Sequence, residues 1–397
     1  IIMRYSKNVS AFRPSPIRSM MKAVVNPNVI SFAGGMPGEE LFPVDDIREM
    51  VANMPRKAMD TALQYGPTDG LPVLVDLLTE EMSKKGFDMT KNRIIITTGS
   101  TQVMNIVSKL LIDENDVVLT EDPVFCGSAG AFCSYHAQLV GVKMDSEGII
   151  ISELEKALEK NPKFIYTTPT FHNPAGLTYS RQRRMEFLEV MSKHPDVMIL
   201  EDDAYGRLYY DNDTQEDIVP MKTYAKNEQQ IIYCSSFSKI FGPGLRIGWM
   251  VLPKEMFEVA EIAKQSMDAC TPQFSQMLAY EFWKSGRLDR YVEMLRNTYK
   301  ARRDKMVECI KKYCPEEITF VTPKGGFFLW ARIPECIDID KLFDECSERG
   351  VVFVKGIAFS ADYKNNHHIR LSFSNTNPET IEKGIKLLGE EMYKLMK

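Results

Sequence analysis

Ser236-Phe-Ser-Lys239, followed by Gly242-Pro-Gly-Leu-Arg246, gathers two hydroxyls, an amine and a guanidinium into a short turn kept open by glycine and proline. A partly desolvated amine near other cations loses its proton readily and becomes a nucleophile. Hydroxyls and a guanidinium beside it are phosphate ligands. The other reading is a surface turn with a solvated lysine. Asp202, inside Glu201-Asp-Asp203, either caps the next segment or holds a ring nitrogen of a bound heterocycle in its protonated form. Tyr205 and Asn173, the latter beside Pro174, are either ligand hydrogen-bonding groups or packing and turn residues. Gly99-Ser100-Thr101 is a glycine turn into a helix start, which suits an anion or an ordinary N-cap. The cysteines form no C-x-x-C and the five histidines no H-E-x-x-H, so no metal site is expected.

These residues follow a series of short apolar runs. The runs are 93–99, 116–123, 164–169, 197–203, 230–236 and 246–253, and each reads as a buried strand. Helical patterns such as Thr101–Leu111 lie between them. Strand–helix alternation implies an α/β fold, with a mostly parallel sheet between helices. Ligands of such sheets sit beyond the carboxyl ends of the strands, where the groups above should converge. After about residue 285 the rhythm changes to helical spacing through Leu288, Tyr291, Leu295, Tyr299, Met306 and Ile310. Further apolar runs follow at 325–332, 350–354 and 368–373, which predicts a smaller α+β C-terminal domain. The expected division is an N-terminal arm over 1–40, a large domain over 41–290 and a small domain over 291–397. Pro14, Pro16, Pro27 and Pro37 make the arm read as extended.

The 397 residues carry 49 Lys+Arg against 54 Asp+Glu, a net charge of −5, which excludes a basic footprint for nucleic acid or an anionic membrane. No apolar stretch approaches the roughly 20 residues that span a bilayer. The N-terminus has no apolar signal core. Eight unpatterned cysteines fit reduced thiols, and a cytoplasmic location is expected.

Taken in order, Asn173-Pro-Ala-Gly176, Asp202-Asp-Ala-Tyr205, Ser236-Phe-Ser-Lys239 and Gly244-Leu-Arg-Ile-Gly248 resemble the fold-type I pyridoxal-phosphate aminotransferases. The resemblance covers essentially the whole chain. Pro14-Ser-Pro-Ile-Arg18, Ile30–Gly35, Leu63-Gln-Tyr65, Gly325–Trp330 and Arg370–Ser374 resemble the branch containing 2-aminoadipate, kynurenine and multi-substrate aromatic aminotransferases.

The resemblance implies pyridoxal phosphate as cofactor, with Lys239 as the Schiff-base lysine and proton carrier. It implies Asp202 against the pyridine nitrogen, Asn173 and Tyr205 on the phenolic oxygen, and Phe125 stacked on the ring. Ser100, Thr101, Ser236, Ser238 and Arg246 would surround the phosphate, with Tyr65 donated by the other subunit of a homodimer. Arg370 would take the substrate α-carboxylate, although its place in an alternating strand also suits a plain exposed charge. Arg18 and Gly35 belong to the arm that folds over substrate in related enzymes, and Asn173 also borders the substrate. Phe125 stands where relatives usually carry tyrosine, Thr101 replaces a common glutamine, Ala175 a threonine, and Lys355 a proline.

The activity implied is transamination between an amino acid (2-aminoadipate, aromatic or another broad-range donor) and a 2-oxo acid, with 2-oxoglutarate as acceptor. A β-lyase or decarboxylase on the same scaffold shares the cofactor set. A cofactor-sensing regulator is the alternative from another class. The pattern begins by Pro14, so no DNA-binding module is expected, and neither nucleic acid nor membrane is an expected partner.

Overall fold

Six of the eight strands in the main sheet are the apolar runs of the sequence, and their uninterrupted hydrophobicity has a direct cause. In Phe164–Thr167, Phe164 and Tyr166 enter the core on one face while Ile165 enters the core on the other. Leu200 and Ile199 divide the same way in the next strand. A strand covered on both faces has no polar side to alternate with. The computed structural model describes residues 3–23, 28–361, 364 and 367–397.

The strands are β1 (Asn92–Thr97), β2 (Val117–Asp122), β3 (Gln138–Asp145), β4 (Gly148–Ile149), β5 (Phe164–Thr167), β6 (Met198–Asp203), β7 (Ile231–Ser236) and β8 (Gly248–Pro253). Their spatial order is β1-β8-β7-β6-β5-β2-β3-β4. Neighbours from β3 through β7 are parallel, whereas β8 runs antiparallel to both β1 and β7. β3 escaped the sequence reading because Gly141 interrupts it and much of it is half-buried or exposed.

A second, antiparallel sheet lies in the C-terminal region. Its strands are β9 (Thr319–Phe320), β10 (Phe328–Arg332), β11 (Val354–Lys355) and β12 (His368–Ser372), in the order β9-β10-β12-β11. The helical spacing after residue 285 is one helix, Arg287–Tyr313, packed on the helix Pro378–Leu395. Gly389 lets the two approach closely, since a Cβ there would strike the Tyr313 carbonyl oxygen.

The N-terminal segment departs from the extended form that its prolines suggested. Pro16–Ala23 is a helix, with Pro16 in the first turn, where its missing N–H is not needed. Ser15 Oγ accepts from the Arg18 N–H at 3.3 Å. Pro27 lies outside the described residues. Further on, Ile30–Ser31 pairs in parallel with Val351–Val352, which joins this segment to the C-terminal region.

Candidate active site

Parallel strands finish at one edge of the sheet, and β8, running the other way, starts there. That edge therefore receives Gly99 and Ser100 after β1, Phe125 after β2, Asn173 after β5, Tyr205 after β6, Ser238 and Lys239 after β7, and Arg246 just before β8. All but Gly99, which only leads into Ser100, line a cavity of about 740 Å³ with Thr101, Asp202, Ser236, Gly35, Arg18 and Arg370. Tyr65 lies elsewhere; it is 84% exposed, outside the cavity of its own chain.

Lys239 donates to the Gly35 carbonyl oxygen at 2.9 Å. Burial, reinforced by the guanidinium groups of Arg370 and Arg246, pulls its amine down to about 8. Asp202, at the end of β6, is buried, and burial pushes its carboxyl up to about 6 despite hydrogen bonds from Tyr166 and Cys234. The Tyr205 ring packs edge-on against Phe327 at 5.3 Å, and burial raises its phenol.

Arg370 sits on β12 but reaches the cavity with 1% of its surface exposed, so the plain surface charge is ruled out. It donates to Asn173 Oδ1 at 2.7 Å and to the Ala33 carbonyl oxygen at 2.6 Å. Its guanidinium lies 4.1 Å from the Phe328 ring centroid, and its Nε has no partner. A buried cation with an unused donor and aromatic walls is built to receive an anion.

At the opposite end, Gly99 adopts φ 75° and ψ 169°, a region essentially reserved for glycine, and leads into the helix Ser100–Leu111. A Cβ at Gly99 would strike the Arg246 guanidinium. Ser100 Oγ is buried without a hydrogen-bond partner, while Thr101 is exposed at the helix start. Ser236 Oγ donates to Ser238 Oγ at 2.8 Å and accepts from the Ser238 N–H at 3.0 Å. Phe125 precedes the helix Cys126–Cys133 and lays its ring against Gly127.

The sequence profile described as aminotransferase class I and II matches residues 28–388. The chain belongs to the class I and II aminotransferase family. It is 36% identical to aromatic-amino-acid aminotransferase 1 of Thermococcus litoralis, covering 99% of this chain and 95% of that protein. Its fold matches the crystal structure of Pyrococcus horikoshii kynurenine aminotransferase, solved with PMP, KYN as substrates and KYA as products. The TM-score is 0.93 at 36% identity, over 99% of this chain and 98% of that one. The α-aminoadipate aminotransferase of Thermus thermophilus, complexed with N-(5'-phosphopyridoxyl)-L-leucine, gives a TM-score of 0.89 at 31% identity, over 99% and 98%. This aminotransferase is thus a pyridoxal-phosphate-dependent enzyme of the aromatic, aminoadipate and kynurenine type.

The residues of this aminotransferase fit that cofactor. The orphaned Ser100 hydroxyl and the helix start beside Arg246 suit a phosphate, Asp202 suits a protonated ring nitrogen, and the Lys239 amine is easily freed of its proton. Among the described residues no group of three or more His, Cys, Asp and Glu is placed to hold a metal ion. No helix among them is long and apolar enough to cross a membrane.

Several supporting groups escaped the sequence reading because they lie within strands or on other loops, not just past a strand end. Tyr166 on β5 and Cys234 on β7 both donate to Asp202. Glu121, fully buried at the end of β2, accepts from Thr167 Oγ1, Tyr179 OH and His172 Nε2. His172 Nδ1 accepts from the Ala175 N–H at 3.1 Å, so the proton sits on Nε2 and the Asn173 turn is braced from behind. A charged residue ending an apolar run, as Glu121 does, was the available signal.

Proposed function

We propose that this aminotransferase moves an amino group from a 2-aminoadipate, aromatic or similarly broad donor to a 2-oxo acid, with 2-oxoglutarate as acceptor. The observation that carries the reading is the pairing, in one cavity, of a half-buried low-pKa lysine with a buried arginine that has an unused donor. When bound, pyridoxal phosphate supplies an electron sink for the substrate carbon that loses its proton.

In this proposal Lys239 would hold the cofactor, and its free Nζ would take the α-proton of the substrate. Near neutral pH a useful share of the amine is already neutral, because its pKa lies near 8. Asp202 holds the ring nitrogen protonated, and Asn173 and Tyr205 take the phenolic oxygen. Ser100, Thr101, Ser236, Ser238 and Arg246 would hold the phosphate, and the Phe125 ring would pack on the heterocycle. Arg370 takes the α-carboxylate while Asn173 borders it. Arg18 and Gly35, from the N-terminal segment, close the substrate side and exclude water.

The proposal includes a cytoplasmic homodimer with shared sites. Its support is that Tyr65 lies exposed outside its own cavity, free to complete a neighbour's phosphate site, and that all eight cysteines are unpaired.

The test is to add pyridoxal phosphate and follow the absorbance band of the lysine-bound cofactor through a panel of amino acids with 2-oxoglutarate. Oxo-acid formation with glutamate as co-product is expected. A band that persists unchanged in Lys239→Ala, or release of pyruvate and ammonia with no dependence on an acceptor, overturns the reading.

A further inference from the structure

Asp202 is served from both sides of its own strand. In the pairing of β6 with β7, Cys234 stands directly opposite Asp202, on the same face of the sheet. Its thiol lies 3.5 Å from Asp202 Oδ1. On the other flank β5 pairs Tyr166 with Leu200, two residues before Asp202 and on the same face. The Tyr166 hydroxyl donates to Asp202 Oδ2 at 2.8 Å and itself accepts from Ser128 Oγ at 2.9 Å. Tyr166 and Cys234 are fully buried, and burial together with the Asp202 charge raises both their pKa values well above the ordinary ones. They are therefore locked in their protonated forms and serve Asp202 as donors.

We propose that Tyr166 and Cys234 are positioning residues that hold the Asp202 carboxylate ionised and aimed at the ring nitrogen of pyridoxal phosphate. The inference rests on the cofactor reading above. Each donated hydrogen bond stabilises the charged form of Asp202 against a burial that favours the neutral one. Two other carboxylates oppose its ionisation, Asp203 on its own strand and Glu121 from β2, while Tyr205 beyond the strand end stays neutral because burial raises its phenol. Without the two donors, the carboxyl keeps its proton to higher pH and ceases to pair with a protonated ring nitrogen.

The experiment titrates pyridoxal phosphate into the cofactor-free protein from pH 5 to 8.5, following tryptophan fluorescence and the cofactor band. In the wild type, binding weakens on the acid side as Asp202 takes up its proton. Tyr166→Phe is expected to raise Kd about tenfold at pH 5, the scale of one hydrogen bond to a charged group, and about twofold at pH 7. It is also expected to move the acid limb upward by about one pH unit. Cys234→Ala should do the same to a smaller degree, since a thiol is a weak donor. Ser128→Ala, which leaves both donors to Asp202 in place, should move the limb least.

A Tyr166→Phe protein whose Kd follows the wild-type curve overturns the inference. So does a uniform loss of affinity with the acid limb unmoved, which marks a purely structural role. If Tyr166→Phe does not fold, the position of the acid limb in Cys234→Ala decides. A wild-type protein with no Lys239-dependent cofactor band would instead overturn the function proposed above.

Discussion

Lys239 Nζ donates to the Gly35 carbonyl oxygen at 2.9 Å, and this contact joins the end of β7 to a segment more than two hundred residues earlier. The same segment accepts from Arg370 through the Ala33 carbonyl oxygen. A buried guanidinium and a half-buried amine thus converge on the backbone of Ala33–Gly35, and the amine sits among positive groups with its hydrogen bond to a neutral oxygen. That arrangement destabilises the ammonium form, and the first expected consequence concerns pH.

The rate at which Lys239 captures pyridoxal phosphate should rise between pH 7 and 9 with a midpoint near 8, the pKa to which burial and Arg370 lower the amine. The sign follows from deprotonation: the neutral amine attacks, and it becomes abundant well below the ordinary 10.5. Arg370→Met should move the midpoint upward. Stopped-flow absorbance measures both, and a wild-type midpoint above 10 would refute the claim.

Asp202→Asn should stabilise the cofactor-free protein while weakening its cofactor binding. The carboxyl is at about 6 in the fold against 3.8 ordinarily, so the native state binds more protons between those values. Stability therefore falls as pH rises through that window, and the full penalty, on the order of 3 kcal/mol, is present above it. The variant should melt higher than wild type at pH 7.5, with the difference vanishing near pH 4. Equal melting temperatures at pH 7.5 would count against it.

Arg370→Lys should raise KM for amino donors by roughly tenfold or more while pyridoxal phosphate still binds. The Arg370 Nε has no partner, whereas its terminal nitrogens are committed to Asn173 and Ala33. Lysine keeps a charge but not the planar fork. Steady-state kinetics beside a cofactor titration separate the two effects.

Gly99→Ala should weaken cofactor binding and lower the melting temperature. Its φ of 75° with ψ of 169° strains an L-residue by about 1–3 kcal/mol, and the new methyl would also displace Arg246. Fluorescence titration and thermal unfolding both read the change; wild-type values in both would contradict it.

Arg18→Ala should reduce kcat/KM for 2-aminoadipate by about tenfold relative to phenylalanine, the scale of one charge-assisted contact. Arg18 is exposed at the wall of the cavity, where a second carboxylate on the substrate side chain would meet it. An unchanged ratio between the two donors would remove Arg18 from substrate selection.

Much of this enzyme was legible in the order of its residues. Both-face burial makes β1, β2, β5, β6, β7 and β8 read as continuous apolar runs, and because chemistry-bearing residues stand at or near their ends, Lys239, Asp202, Asn173 and Arg246, which line one cavity, could be picked out by position along the chain. Local pattern fails where the deciding contact joins distant segments. Arg370 sits in a strand where a surface charge would look the same, and only the packing of β12 against Asn173 and Ala33 buries it. Tyr166 and Cys234 look like ordinary strand interior until the register of β5, β6 and β7 aims both at Asp202. Residue types and spacing determined which groups are available for chemistry. Tertiary structure decided their charge and direction, because desolvation and hydrogen bonding depend on neighbours the chain supplies from far away in sequence.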